Sequence, residues 1–300
     1  MRLNTQIVTN EYPCVQPLLG LASTSAKAIG LTNGDTQEVL DFLTIRPVHT
    51  VVMTSLIQDN GLENSLNRGK FYGYKNAEGT LEGVALIGHT TLVEARSENA
   101  LNALALAARA SEVPLHLIMS DGNAAESFWR ILGNGSKAPR LTCTELLFEI
   151  SYPFPVPSCD RTIRQATLAE LDQIAEAQAD IAFKECGVDP LGKDREGFLK
   201  RVSRRIEQGR IFVVVENGKL IFKADIMAET EEVIYLEGIY VAPEHRGQGV
   251  GSVCLAKLTM DLLTRVQHIS LLSNISFAES HRAYQKAGYK KTGSCVTVFV

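Results

Sequence analysis

Apolar and polar positions alternate most clearly in the second half of the chain. Ile211-Phe-Val-Val-Val215 and Leu220-Ile-Phe-Lys-Ala-Asp-Ile226 are β-branched runs on either side of Glu216-Asn-Gly218, and an Asn-Gly pair between such runs predicts a tight hairpin. Val233 to Val241 reads as another strand, His268 to Ser273 as a further one and Val296 to Val300 as a closing one. Ahead of them, Arg161 to Ala166 reads as a short strand. Thr167-Leu-Ala-Glu170 then has the form of a capping box opening a helix toward Phe183, and a second helix covers Asp194 to Gln208. Two more amphipathic helices follow, one entered from residues 242–252 and running to about Leu263, the other over Phe277 to Ala287. The resulting order is β-α-α-β-β-β-α-β-α-β.

The first half repeats that order in a worn form. Asp35-Thr-Gln-Glu38 can cap a helix running to Leu43, and His49 to Gln58 reads as a second helix. Phe71 to Tyr74 and Leu81 to Ile87 flank the turn Asn76-Ala-Glu-Gly79, in the place of the later hairpin. Leu115 to Met119 stands where the His268 strand stands. Ala125 to Gly133 echoes Ala278 to Gly288 and sets Trp129, read as core, about where Tyr284 sits. An internal duplication is expected. Its boundary falls in Ser151-Tyr-Pro-Phe-Pro-Val-Pro-Ser158, where prolines at alternate positions favour an extended segment, giving one domain over 1–152, a linker over 153–158 and a second domain over 159–300.

Composition narrows the functional classes. The chain has 300 residues, of which 45% are hydrophobic and 21% charged, so it can bury a core, and disorder is excluded. Lys+Arg of 30 against Asp+Glu of 34 gives a net charge of −4, the wrong sign for a protein that neutralises phosphates along a nucleic acid. No apolar run reaches the length of a membrane span, and Met1 to Asn10 lacks the features of a secretory leader. A cytoplasmic protein without membrane or nucleic-acid partners is expected. The six cysteines show no C-x-x-C pair and the six histidines no H-E-x-x-H, so no metal is expected.

Residues 242–252, Ala-Pro-Glu-His-Arg-Gly-Gln-Gly-Val-Gly-Ser, carry the chemistry. Three glycines at alternate positions directly before a helix let backbone N–H groups crowd around an anion, the helix start adds its dipole, and Arg246 adds a full charge. No Lys-Ser/Thr pair follows at P-loop spacing. The third glycine of a dinucleotide fingerprint would fall on Ser252, and the approach from the strand is too long for that motif. Read as Arg246-x-x-Gly249-x-Gly251 after Val241-x-Pro243, the stretch resembles the acetyl-CoA pyrophosphate loop of the GNAT superfamily of N-acetyltransferases. The tail Tyr284-Gln-Lys-Ala-Gly288-Tyr289 is similar to that family's Y-x-x-x-G-[FY] ending. The first half resembles the degenerate N-terminal halves of tandem GNAT proteins, since residues 92–100 enter a helix without a glycine.

The resemblance implies an α/β (α+β) chain of two GNAT-like domains, each a mixed, mostly antiparallel sheet flanked by helices, with only the second binding acetyl-CoA. Cofactor contacts are then expected from Ile239, Val241, Arg246, Gly247, Gln248, Gly249, Val250, Gly251 and Ser252. The family's frequent asparagine is replaced here by Phe277, and Asn274 resembles a second asparagine seen in some tandem members and joins the cofactor set. Acetyl transfer to an amine needs a polarised carbonyl, a proton for the departing thiolate and a base. Backbone N–H groups late in the Val233 strand are expected to polarise, with Val241 the leading donor and Gly238 marking a bulge. Tyr284 is the implied acid. Glu237, expected on the strand face of Tyr235, Ile239 and Val241, is the candidate base. The expected activity is acetyl-CoA-dependent N-acetylation of a primary amine of a small molecule or peptide by a monomer or homodimer; a non-catalytic acyl-CoA sensor or interaction module is the alternative.

Overall fold

The computed structural model describes residues 27–135, 137–155 and 159–300. Cys14, the leader reading of Met1 to Asn10 and linker residues 156–158 lie outside them. In chain order the first half contains β1 (Ile29–Gly30), α1 (Thr36–Leu43), α2 (Pro47–Asn60), β2 (Gly69–Lys75), β3 (Leu81–Gly88), β4 (Thr90–Ala95), α3 (Glu98–Ala110), β5 (Leu117–Asp121), α4 (Ala124–Leu132) and β6 (Leu141–Ile150). The second half contains β7 (Arg164–Gln165), α5 (Leu171–Cys186), the short α6 (Pro190–Lys193), α7 (Arg195–Glu207), β8 (Ile211–Glu216), β9 (Lys219–Glu229), β10 (Val233–Val241), α8 (Val250–Leu262), β11 (His268–Asn274), α9 (Ala278–Lys286) and β12 (Lys290–Phe299).

Local chemistry sets the element ends. Thr167 donates through its N–H and Oγ1 to Glu170 Oε2 at 2.7 and 2.9 Å, forming the expected capping box. The first half opens with the same device one turn earlier than expected. Thr32, not Asp35, is the cap, donating to Asp35 Oδ2 at 2.8 and 2.9 Å, and each box leads through a 3-10 turn into its helix. Asn217 (φ 50°) and Gly218 (φ 75°) supply the two left-handed residues of the β8–β9 turn.

The twelve strands among the described residues form one sheet, in the order β1-β2-β3-β4-β5-β12-β6-β11-β10-β9-β8-β7. Replacing each first-half strand by the one six places later reads this order backwards, so the duplication is visible as a pseudo-twofold axis. Among the described residues only β4–β5 and β10–β11 are parallel. At the centre the halves trade strands: β6 lies between β11 and β12, and β12 lies between β5 and β6. The closing strand is therefore longer than the Val296 to Val300 run suggested. It does not close its own half but joins the two.

Helices cover both faces. Val84 and Leu86 pack under α1 and α2 while Ala85 and Ile87 face α3 and α4, and Ile211 and Val213 face α5 and α7 while Val214 faces the α8 and α9 core. Across the seam, Val51 of α2 packs on Ala228 and Val233, which puts α2 on the α5 and α7 face. Among the described residues no helix is long and apolar enough to cross a membrane.

Candidate active site

The site starts where two parallel strands part. The β10–β11 ladder runs from Val233↔His268 to Leu236↔Leu271 and stops, although both strands continue. The opening is a cleft of about 540 Å³ lined by the end of α5, Glu237 to Val241, the glycine loop, Leu271 to Ser273 and α9.

Within the cleft β10 changes face. Glu237 pairs with Asp225 of β9 and Tyr240 with Lys223, so Gly238 and Ile239 together oppose one residue and form a bulge, with Gly238 at φ 61°. The expected bulge is present, and it overturns the expected side-chain alternation. Leu236, Ile239 and Val241 belong to the α8 and α9 core, whereas Tyr235 packs toward α2 and Tyr240 toward α5 and α7. Glu237 shares the parity of Tyr235. It therefore lies on the opposite face from Ile239 and Val241, although all three line the same cleft. Ala242 N donates to Ile221 O at 2.9 Å, and by the alternation of an antiparallel ladder this turns the Val241 N–H away from β9 toward the split.

The glycine loop lies on the α8 side. Gly247 (φ 73°) and Gly249 (φ 81°) take left-handed conformations, and a Cβ on either would meet no protein atom within 4 Å. Among the described residues no backbone acceptor takes the N–H groups of Gly247 to Ser252; the first helical bond here is Val253 N to Gly249 O at 3.1 Å. A row of unpaired donors at a helix start suits an anionic group such as a phosphate. Arg246 is anchored by Nε to Val241 O at 2.9 Å, with its guanidinium 5.7 Å from the Tyr240 ring centroid. Gln248 turns back to Glu244 O at 2.8 Å and does not line the cleft. Asn274 is also outside it: its Oδ1 accepts from Ser276 N and Oγ at 2.9 and 2.7 Å, tying up the turn after β11.

Tyr284 on α9 is buried in the core with its side chain at the cleft. Its ring packs edge-on to Phe148 at 5.6 Å in the core, and its hydroxyl bonds Ser280 and Ser273 beside the cleft. Desolvation raises its pKa despite those bonds, so it keeps its proton at neutral pH. Two carboxylates that sequence reasoning missed stand near Glu237. Desolvation by the surrounding walls, then the charges of Glu237 and Glu145, push Glu185 up to about 8, although its side chain stays exposed to the cleft. Glu145, contributed by β6 of the first half, is raised by burial and by Glu237 while Thr297 Oγ1 donates to it. No local motif marks either residue. The α5 terminus and the exchanged strand bring them in.

Residues 207–291 match the family model for the acetyltransferase (GNAT) domain. Over that stretch the second half is similar to a GNAT domain. The fold extends beyond that match: a GNAT-family acetyltransferase from Colwellia psychrerythraea aligns with TM-score 0.57 at 15% identity, covering 91% of this chain and 98% of that one. A GCN5-related N-acetyltransferase from Sphaerobacter thermophilus gives 0.60 at 14% identity, with 92% and 95% covered. A tandem GNAT protein from the clavulanic acid biosynthesis pathway gives 0.56 at 12% identity, with 91% and 98% covered. At such identities the likeness is one of fold. A sequence search of curated proteins returned no match.

Set against the second half, the first half has only a small cavity at the corresponding place, about 60 Å³ against about 540 Å³, lined by Leu92 to Glu94, Met119 to Asp121 and residues of α2. The β4–β5 ladder ends at Leu92↔Met119, and just beyond it Arg46 bridges Glu94, at 3.2 Å, and Asp121. The β3–β4 register runs unbroken from Gly83↔Ala95 to Leu86↔Leu92, without a bulge. The helix that follows starts at Ser97, whose Oγ accepts from Ala100 N at 3.2 Å, so a side chain takes up a donor that the glycine loop leaves free.

Proposed function

We propose that the chain is an N-acetyltransferase that moves an acetyl group from acetyl-CoA to a primary amine of a small molecule or peptide. The observation that carries this reading is the bulged split between β10 and β11. It has unpaired N–H groups on the α8 side and carboxylates on the α5 side, so cosubstrate and amine have separate approaches to one point. Bound acetyl-CoA would supply a thioester-activated acetyl group. The N–H groups of Gly247 to Ser252 and the Arg246 guanidinium would hold its pyrophosphate. The Ile239 and Val241 N–H groups would donate to the carbonyl oxygen as negative charge grows on it. Tyr284 would give its proton to the departing sulfur, and Glu237 would take the ammonium proton from the opposite face. Burial and the Glu237 charge hold Glu185 and Glu145 toward their protonated forms, and a cationic acceptor entering on that side would draw them back toward the charged form and pair with them.

The test is calorimetry of the full chain with acetyl-CoA, followed by a panel of primary amines assayed for thiol release. One site per chain, and release that depends on both reactants, is the expected result. Tight binding without turnover on any amine would favour the sensor instead, and no binding would overturn both readings.

A further inference from the structure

Beside the bulge sits a charge buried without compromise. Lys223 on β9 has no exposed surface, and its Nζ reaches Gln178 Oε1 at 2.8 Å, Gly238 O at 2.9 Å and Asp225 Oδ1 at 2.8 Å. The ammonium donates hydrogen bonds to Gln178 and Gly238, while Asp225 Oδ1 stands against it as an ion-pair partner without hydrogen-bond geometry. Asp225 is itself buried and has Arg205 at 3.7 Å. A buried ion pair is a weak stabiliser compared with apolar residues of the same volume, so its presence in the middle of a strand asks for another reason.

The geometry supplies one. Gln178 belongs to α5, so the Gly238 carbonyl that Lys223 holds is turned toward the α5 face. In a trans peptide the N–H lies opposite the carbonyl, and the chain contains no cis peptide among the described residues. The Ile239 N–H of the same peptide unit is thus directed to the α8 face, where Ile239 lines the cleft. Gly238 is required on two counts: φ is 61°, and a Cβ would stand 2.7 Å from both Lys223 Nζ and Gln178 Oε1. The cluster fills the space a side chain would take and grips the peptide by its oxygen.

We propose that Lys223 is a positioning residue whose buried ammonium, set by Asp225 and Gln178, fixes the Gly238–Ile239 peptide so that the Ile239 N–H polarises the acetyl carbonyl. This rests on the acetyl-CoA reading above. It extends it from the donor to the device that aims the donor, which lies on the far side of the sheet and touches no reacting atom.

The test uses the full chain and acetyl-CoA carrying ¹³C at the acetyl carbonyl. Isotope-edited infrared spectra report the carbonyl stretch of the bound thioester, which drops when a hydrogen bond polarises it. Lys223→Met combined with Asp225→Leu removes both charges together, so no lone buried charge is left. The expected result is loss of the frequency drop while affinity for free CoA stays within about twofold of the parent's, since the glycine loop is remote. With an amine from the panel, kcat should fall by about 10²-fold, the scale of a lost oxyanion donor, with the KM for acetyl-CoA little changed. A purely structural cluster would lower the melting temperature and leave the band in place. Lys223→Arg keeps the charge beside Asp225 and decides the matter if the double variant does not fold, because a longer, planar guanidinium cannot hold Gln178 Oε1 and the Gly238 carbonyl from the same position. A band unchanged in the folded variants overturns the positioning role alone. Failure of the parent to bind acetyl-CoA overturns the underlying reading and this one with it.

Discussion

Tyr284 combines a core position with the proposed role of acid. Its ring is held in the α9 core, and the hydroxyl, bonded to Ser273 and Ser280, is the part the proposed reaction would use. Tyr284→Phe should therefore lower stability by only about 1 kcal/mol while cutting kcat by about 10²-fold or more, measured by thermal unfolding and by thiol release. Equal rates in parent and variant would remove the acid from the mechanism. Glu185 makes a different prediction. Its pKa is raised from 4.5 to about 8, so between those values the native state binds more protons than the unfolded chain, and stability falls as pH rises across that window. Glu185→Gln should raise the melting temperature near pH 8 and leave it unchanged near pH 4. A shift of equal size at both values would show that the carboxyl does not titrate as described.

At the scale of elements, the loop and the bulge do different work. Gly249 is left-handed with open space around it, so Gly249→Ala adds backbone strain of about 1–2 kcal/mol without a clash. Arg246→Ala leaves the loop's conformation intact and removes a charge-assisted contact, for which roughly 10- to 150-fold weaker acetyl-CoA binding is expected by calorimetry. If Arg246→Ala binds like the parent, the pyrophosphate lies elsewhere. This loop was legible in sequence because glycine spacing, a preceding strand and a following helix are all local. The hairpin at Asn217-Gly218 and the Thr167 capping box were legible for the same reason. The face of Glu237 was not, because one inserted residue at Gly238 reverses every alternation after it. Lys223 and Asp225 left a readable trace, two charges at a spacing of two inside an apolar strand. Such residues share one face, and when buried they must be paired.

On the scale of the whole molecule, the element order and the duplication could be read from the chain, but the exchange of β6 and β12 could not. It depends on which edge each strand meets, and periodicity carries no information about that. The exchange has consequences for stability and for the site. Phe148 and Ile150 of β6 belong to the α8 and α9 core, and Glu145 of the same strand stands near Glu237. A fragment over 159–300 would lack these side chains and leave the facing edges of β11 and β12 unpaired. We expect that fragment alone to give no cooperative unfolding transition and no acetyl-CoA binding, and an equimolar mixture with 1–152 to recover both, with one site per pair. The intact chain should melt in a single calorimetric transition, because neither core is complete without a strand from the other half. If 159–300 folded and bound by itself, the exchanged strand would be dispensable, and the first half would have to be retained for something other than completing the sheet.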